Sequence, residues 1–150
     1  TDAAHLSRMM TMLGLGAVVG ALVIAWLGSF DRMGRTLLQV QVVFGGLIAA
    51  FALVSDATVA YVLLFLSGAA LLMIFSLTNS LVQLTVPDEL RGRVMSIYLV
   101  AFRGGMPLGS LVSGYFISQL SAPVVIAVNG LLLSLVAFGF LLGNRQVREL

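Results

Sequence analysis

The chain has 150 residues, of which 60% are hydrophobic and 9% are charged, with a formal net charge of +2. A soluble domain carries about 25% charged residues on its exterior, so this composition excludes a water-soluble protein. There is no cysteine and the only histidine is His5, which excludes disulfides, thiolate catalysis and a histidine-based metal site. We therefore expect no cofactor and no nucleic-acid partner; the expected surroundings are a lipid bilayer.

Five apolar segments approach the length of about 20 residues that a helix needs to cross a bilayer. They run continuously apolar instead of alternating, which excludes a β-barrel. The fold class is therefore an all-α membrane protein, and the short connections make neighbouring helices antiparallel. The predicted spans are residues 9–30, 37–54, 58–84, 94–118 and 122–143.

The arginines indicate how these spans are oriented. Six of them fall in two loops and the tail on one side of the membrane, whereas the opposite side has only Arg8. Basic residues concentrate on the cytoplasmic side, so this asymmetry predicts a cytoplasmic C-terminus and an outward-facing N-terminus. The six are Arg32, Arg35, Arg91, Arg93, Arg145 and Arg148.

Small residues recur at four-residue spacing, which allows helix backbones to approach closely in lipid. The first span has Gly16 and Gly20, the fourth has Gly105 and Gly109, and the fifth has Gly139 and Gly143. The spacing predicts a packed bundle of helices. Since the chain starts at Thr1 without a methionine, we expect it to be a fragment of a longer protein.

The connection after the first span reads Asp31-Arg32-Met33-Gly34-Arg35 and is short, charged and typical of a turn. Gly34 allows a left-handed backbone, and the arginines anchor the cytoplasmic face. Asp31 can accept hydrogen bonds from a helix N-terminus.

The third span carries four polar residues on one helical face, spaced i, i+3, i+4 and i+7. Such a polar stripe faces either the bundle interior or a watery cavity. It therefore predicts a lined pathway or, alternatively, hydrogen bonding between helices. The four are Ser76, Asn79, Ser80 and Gln83. After this span, Thr85 and Asp88 resemble a capping box that would start the fourth helix.

Arg103 is the one charge inside the predicted spans. It lies about 14 Å into the fourth span, and a guanidinium at that depth costs about 2.5–3.5 kcal/mol or more. All six acidic residues lie outside the spans, so none is placed to neutralise it. The position predicts a pathway or substrate site, or a structural pin hydrogen-bonded to backbone carbonyls.

The rest of the fourth span adds two features to Arg103. Ser96 lies seven residues before Arg103 and Ser110 seven residues after it, on the same helical face. Proline removes one backbone hydrogen bond and the neighbouring glycines loosen the helix, which predicts a bend. The bend residues are Gly104, Gly105, Pro107 and Gly109.

Residues 31–35 resemble the cytoplasmic loop signature of major facilitator superfamily transporters, which follows the second and, in weaker form, the eighth helix. The resemblance implies cytoplasmic gate contacts here, so we name residues 31–35 the gate loop. Residues 103–109 are similar to the glycine-proline pattern of the superfamily's antiporters. Residues 86–109 resemble the enterobactin-exporter and macrolide-efflux branch. Leu27 stands where the family signature has glycine, as in the degenerate second copy.

The resemblance covers essentially the whole chain and implies that the five spans are helices eight to twelve of the C-terminal half. It implies a bacterial inner-membrane exporter of a small molecule, working by proton antiport and alternating access, and not an enzyme. The missing N-terminal half would be a partner. Two alternatives stay open on the residues: a structural membrane subunit, and an intramembrane enzyme, which would need a nucleophile or carboxylate pair that the spans lack.

Overall fold

The computed structural model describes residues 2–28 and 32–143, and five long helices occupy nearly all of them. Each is long and apolar enough to cross a membrane, which confirms the predicted all-α fold and its five spans. The helices extend past the apolar segments where polar turns continue them; α4 begins at Asp88, before the predicted residue 94. The helices are α1 Asp2–Leu27, α2 Met33–Leu53, α3 Ala57–Thr85, α4 Asp88–Gln119 and α5 Ala122–Gly143.

Helices α1 and α3 pack side by side and run parallel along glycine positions. A Cβ added at Gly16 would overlap the backbone carbonyl of Phe65, and one added at Gly20 would overlap that of Ala69. Gly68 makes the reciprocal approach from α3 to the backbone of α1. Only glycine permits this separation, so the close packing predicted for the first glycine pair is confirmed.

Helices α2 and α5 form a second pair, which is antiparallel. A Cβ on Gly130 would lie 2.5 Å from the carbonyl oxygen of Gly45. The Ser134 hydroxyl crosses the same interface and donates a hydrogen bond of 2.9 Å to the carbonyl of Val42. Gly45 and Gly130 thus bring the two backbones close enough for a side chain of one helix to bond the other's main chain.

Contacts between α2 and α3 join the two pairs, and the small core lies along these helices. Leu77 and Ser67 are fully buried there. Helix α4 is attached far more loosely: it touches α3 and α5 at a few positions, and none of its residues is buried. The arrangement is two tight helix pairs with a fifth, peripheral helix.

Two expectations about the connections were wrong. The left-handed backbone lies at Gly28 and at Arg32, with φ of 62° and 65°, whereas Gly34 is buried in the first turn of α2. Helix α3 continues through Thr85, and α4 is capped at Pro87 without a side-chain hydrogen bond, so there is no capping box. Val86 and Pro87 are therefore the only residues between α3 and α4.

Asp56 provides the helix cap that the sequence pattern did not single out. Its carboxylate accepts hydrogen bonds from the backbone N–H groups of Thr58 and Val59, each at 2.9 Å. These bonds satisfy two of the donors that the start of α3 leaves free. The loop between α2 and α3 can therefore be short.

Candidate functional site

Arg103 lies near the middle of α4 with its side chain exposed. Within the described part of the chain its guanidinium makes no hydrogen bond and no ion pair. The structural alternative required backbone carbonyls of neighbouring helices as acceptors, and the described residues supply none. The charge is therefore open to a group from outside the described chain.

The polar stripe of α3 also has unmet hydrogen-bonding capacity. Ser76, Asn79 and Ser80 are half-buried and Gln83 is exposed. None of the four makes a side-chain hydrogen bond to another described residue, whereas Thr78 on another face bonds the Ile74 carbonyl at 2.7 Å. The alternative of hydrogen bonding between helices is therefore not realised among the described residues.

The two serines predicted beside Arg103 behave differently from the stripe. The hydroxyl of Ser96 donates to the carbonyl of Gly92 and that of Ser110 to the carbonyl of Met106, each at 2.9 Å. Each bond joins two residues of the same helix turn, so the membrane-embedded hydroxyl needs no partner from another helix. The hydroxyls of Ser96 and Ser110 are thus satisfied within α4, whereas the stripe of α3 and Arg103 have no hydrogen-bond partner among the described residues.

Replacing Ser110 with alanine is expected to change the free energy of unfolding by less than about 0.5 kcal/mol, because its partner carbonyl already belongs to the helix ladder. Replacing Ser134 with alanine is the matched comparison, since its hydroxyl crosses from α5 to α2. That change is expected to cost about 0.6–1.7 kcal/mol. Unfolding by denaturing detergent in mixed micelles measures both, and equal costs would contradict this difference.

A cleft of about 470 Å³ opens at the predicted cytoplasmic end, between the end of α1, the start of α2, the end of α3 and the start of α4. Gly28 and Met33 flank it from the gate-loop side, and Ser80 and Gln83 bring the end of the polar stripe. Arg91 completes it and forms an ion pair with Asp88 at 2.5 Å. The structure therefore places the gate loop beside the end of the stripe.

Part of the gate loop is described. Arg32 and Arg35 are exposed and Gly34 is buried, whereas Asp31 lies outside the described residues. The arginines of the loop point away from the helix packing, so they are free to contact groups at the membrane surface or another part of a larger protein. Their predicted role in gating stays a prediction.

An aromatic cluster links α3 to α4, and the sequence interpretation missed it. Phe75 and Phe102 meet edge to face with ring centroids 4.8 Å apart, and Tyr98 stacks on Phe102 at 6.2 Å. The i, i+4 spacing of Tyr98 and Phe102 was the available signal. At the other end of α4, the Asn129 amide donates to the Ser113 hydroxyl at 3.3 Å.

The predicted bend residues lie on an open face of α4. A Cβ added at Gly104, Gly105 or Gly109 would meet nothing within 4 Å, so these glycines do not pack against another described helix. The helix continues without interruption through Pro107. Their role as a bend therefore stays a prediction, and the close packing predicted for Gly105 and Gly109 is not made within the described chain.

Five helices of membrane-spanning length and composition define a polytopic α-helical membrane protein. Its α3 carries a polar stripe, and its α4 carries an arginine that has no partner among the described residues. A family model described as "Transmembrane secretion effector", of the major facilitator type, matches residues 1–149, and the chain belongs to this family. Comparisons with curated proteins and with solved structures found no match. The chain is thus a multi-pass membrane protein of a transporter family of the exporter kind.

Proposed function

We propose that the chain forms helices eight to twelve of a proton-coupled exporter that moves a small organic molecule by alternating access. The substrate would be siderophore-like or drug-like, as in the enterobactin-exporter and macrolide-efflux branch that the sequence resembles. The protein would lie in a bacterial inner membrane with its C-terminus in the cytoplasm. The observation that carries the proposal is the exposed side chain of Arg103, which has no partner among the described residues, within a chain of the secretion-effector family.

Charge supports a site at Arg103. An arginine at the centre of a membrane helix is costly and marks a substrate or ion pathway unless it is paired. The described residues offer it no acid and no hydrogen bond. An anionic group of the substrate, or an acid of the missing half of the transporter, would neutralise it.

The loose attachment of α4 supports movement against a second half. The helix is held to α3 at the aromatic cluster of Phe75, Tyr98 and Phe102, and to α5 at the bond between Asn129 and Ser113. Its remaining surface is open along most of its length. In alternating access such a surface would face the N-terminal half, and the two halves would rock around the site between them.

The cleft beside the gate loop supports a cytoplasmic gate. Its lining joins Gly28 and Met33 to Ser80, Gln83 and Arg91. In an outward-facing state the N-terminal half would close over this end, with Arg32 and Arg35 available for contacts across the closure. The stripe of Ser76, Asn79, Ser80 and Gln83 would then line the pathway above the gate.

The alternative is a structural membrane subunit without transport activity. Ser96 and Ser110 favour it locally, since their hydroxyls are satisfied within α4. A structural subunit would also need its Arg103 and Asn79 groups satisfied by fixed partners from outside the described chain. In that case, cross-links between α4 and its partner would form equally in the presence and absence of a proton gradient.

A transport measurement tests the proposal on the whole protein. Cells producing it are expected to accumulate at least one anionic organic dye less than control cells, and a protonophore is expected to abolish the difference. Inverted membrane vesicles should take up the same dye when the proton gradient is imposed. Equal accumulation of all anionic and neutral dyes in producing and control cells would contradict the proposal.

A further inference from the structure

A second concave surface lies away from Arg103, between α2 and α3, and we name it the apolar groove. It has a volume of about 350 Å³ and an almost entirely apolar lining. Val43 and Leu66 are 57% and 43% exposed, so the groove is open to the surroundings of the helices. Its lining residues are Thr36, Gln39, Val40, Val43, Leu47, Leu66, Ala69, Ala70 and Met73.

The groove is polar at one end only. Thr36 and Gln39 are its two polar lining residues, and both belong to the first turns of α2 at the predicted cytoplasmic end. Arg35 precedes Gln39 by four positions within α2, which places it one helical turn below that polar lining residue. Arg32 caps the start of α2, and its carbonyl accepts a hydrogen bond of 3.2 Å from the backbone N–H of Thr36. Both arginines are exposed, so a positive surface adjoins the polar end of the groove.

The groove's length matches half a bilayer. From Thr36 to Leu47 is eleven residues of helix, or about 16 Å at about 1.5 Å per residue. The hydrocarbon core of a bilayer is about 30 Å thick, so one leaflet contributes about 15 Å. One acyl chain can therefore lie in the groove while its headgroup stays at the level of the arginines.

We propose that the apolar groove binds one phospholipid with an anionic headgroup, with an acyl chain along Val43 and the headgroup phosphate at Arg32 and Arg35. The groove lies away from Arg103, although the headgroup site shares Arg32 and Arg35 with the cytoplasmic gate proposed above. Basic surfaces between membrane helices on the cytoplasmic side recognise anionic lipid headgroups, and guanidinium groups pair with phosphate oxygens. Arg32 and Arg35 together outweigh Asp31 by one charge, which favours an anion there.

The test is native mass spectrometry of the purified protein with phosphatidylglycerol and phosphatidylcholine of identical acyl chains. Wild-type protein is expected to bind phosphatidylglycerol more tightly. Arg35→Gln is expected to weaken phosphatidylglycerol binding about five-fold, the ratio that corresponds to about 1 kcal/mol per arginine near an anionic lipid. Val43→Phe, which fills an exposed position of the groove, is expected to weaken binding of both lipids.

Two variants serve as controls of matched chemistry. Arg93→Gln removes an exposed arginine of the same predicted membrane side that does not adjoin the groove, and Val18→Phe adds a ring at a valine of the same 57% exposure on α1. Both are expected to bind lipid as wild type does. Equal affinity of the wild type for the two lipids, or wild-type binding by Arg35→Gln and Val43→Phe, would overturn the proposal. So would a lipid-free dimer that Val43→Phe dissociates, because the groove would then hold a second copy.

Discussion

Replacing Gly45 with alanine is expected to lower the free energy of unfolding by about 1–3 kcal/mol, the cost of overpacking a tight interface. A Cβ at this position would overlap the Ser134 hydroxyl and the carbonyl oxygen of Gly130. The carbonyl belongs to the backbone of α5 and cannot rotate away. The two helices would have to separate, and the hydrogen bond from Ser134 to Val42 would lengthen.

The neighbouring glycine provides a control on the same helix. A Cβ at Gly46 would meet nothing within 4 Å, so Gly46→Ala gains helix propensity of about 0.5–1 kcal/mol without a steric cost. Unfolding by denaturing detergent in mixed micelles should therefore shift in opposite directions for the two variants. Destabilisation of the same size at Gly46 would show that glycine matters here for reasons other than the α2–α5 interface.

Replacing Arg103 with alanine is expected to reduce transport of an anionic substrate about 10–150-fold, the loss that corresponds to about 1.5–3 kcal/mol for one hydrogen bond to a charged group. The fold should be unaffected, because the side chain is exposed and makes no hydrogen bond or ion pair within the described residues. Efflux of the anionic dye from cells producing the whole transporter measures the first effect. Unfolding of the purified protein measures the second.

Two further variants test whether the effect is specific to Arg103. Arg103→Lys tests the need for the guanidinium, and Arg93→Ala tests the loss of a positive charge elsewhere on the same helix. Lysine keeps the positive charge without the planar fork of the guanidinium, so intermediate transport is expected. Arg93 lies exposed near the start of the same helix, and its replacement should leave transport close to wild type. If Arg103→Ala retained both wild-type transport and wild-type proton coupling, the site assignment would be wrong.

The five spans could be predicted because lipid imposes a simple rule on sequence. A membrane helix must satisfy its own backbone and cover it with apolar side chains, so length and hydropathy suffice to locate it. Residues 58–84 and 122–143 coincide closely with α3 and α5 for this reason. The ends were less accurate because helices continue into polar turns: α1 begins at Asp2, well before residue 9.

The candidate site could be predicted in part. Arg103 is conspicuous in sequence because a lone charge in an apolar run is costly, and the i, i+3, i+4 pattern revealed the stripe that includes Asn79. Sequence could not show which polar groups are satisfied. Ser110 and Ser134 are both hydroxyls in apolar helices, yet one bonds its own helix and the other bonds α2.

The sequence by itself determined that the chain lies in a lipid bilayer, how many spans it has and which family it belongs to. Each of these depends on composition or on short patterns of neighbouring residues. Only the tertiary structure decided which glycines are in contact: Gly16 and Gly45 face a neighbouring backbone, whereas Gly105 and Gly109 face open space. The same four-residue spacing of glycines occurs at Gly16 with Gly20, which are in contact, and at Gly105 with Gly109, which are not. Whether a glycine is in close contact depends on which helices are neighbours. Here α1 packs against α3 and α2 against α5. These helices are far apart in the sequence, so no local sequence pattern predicts the pairing.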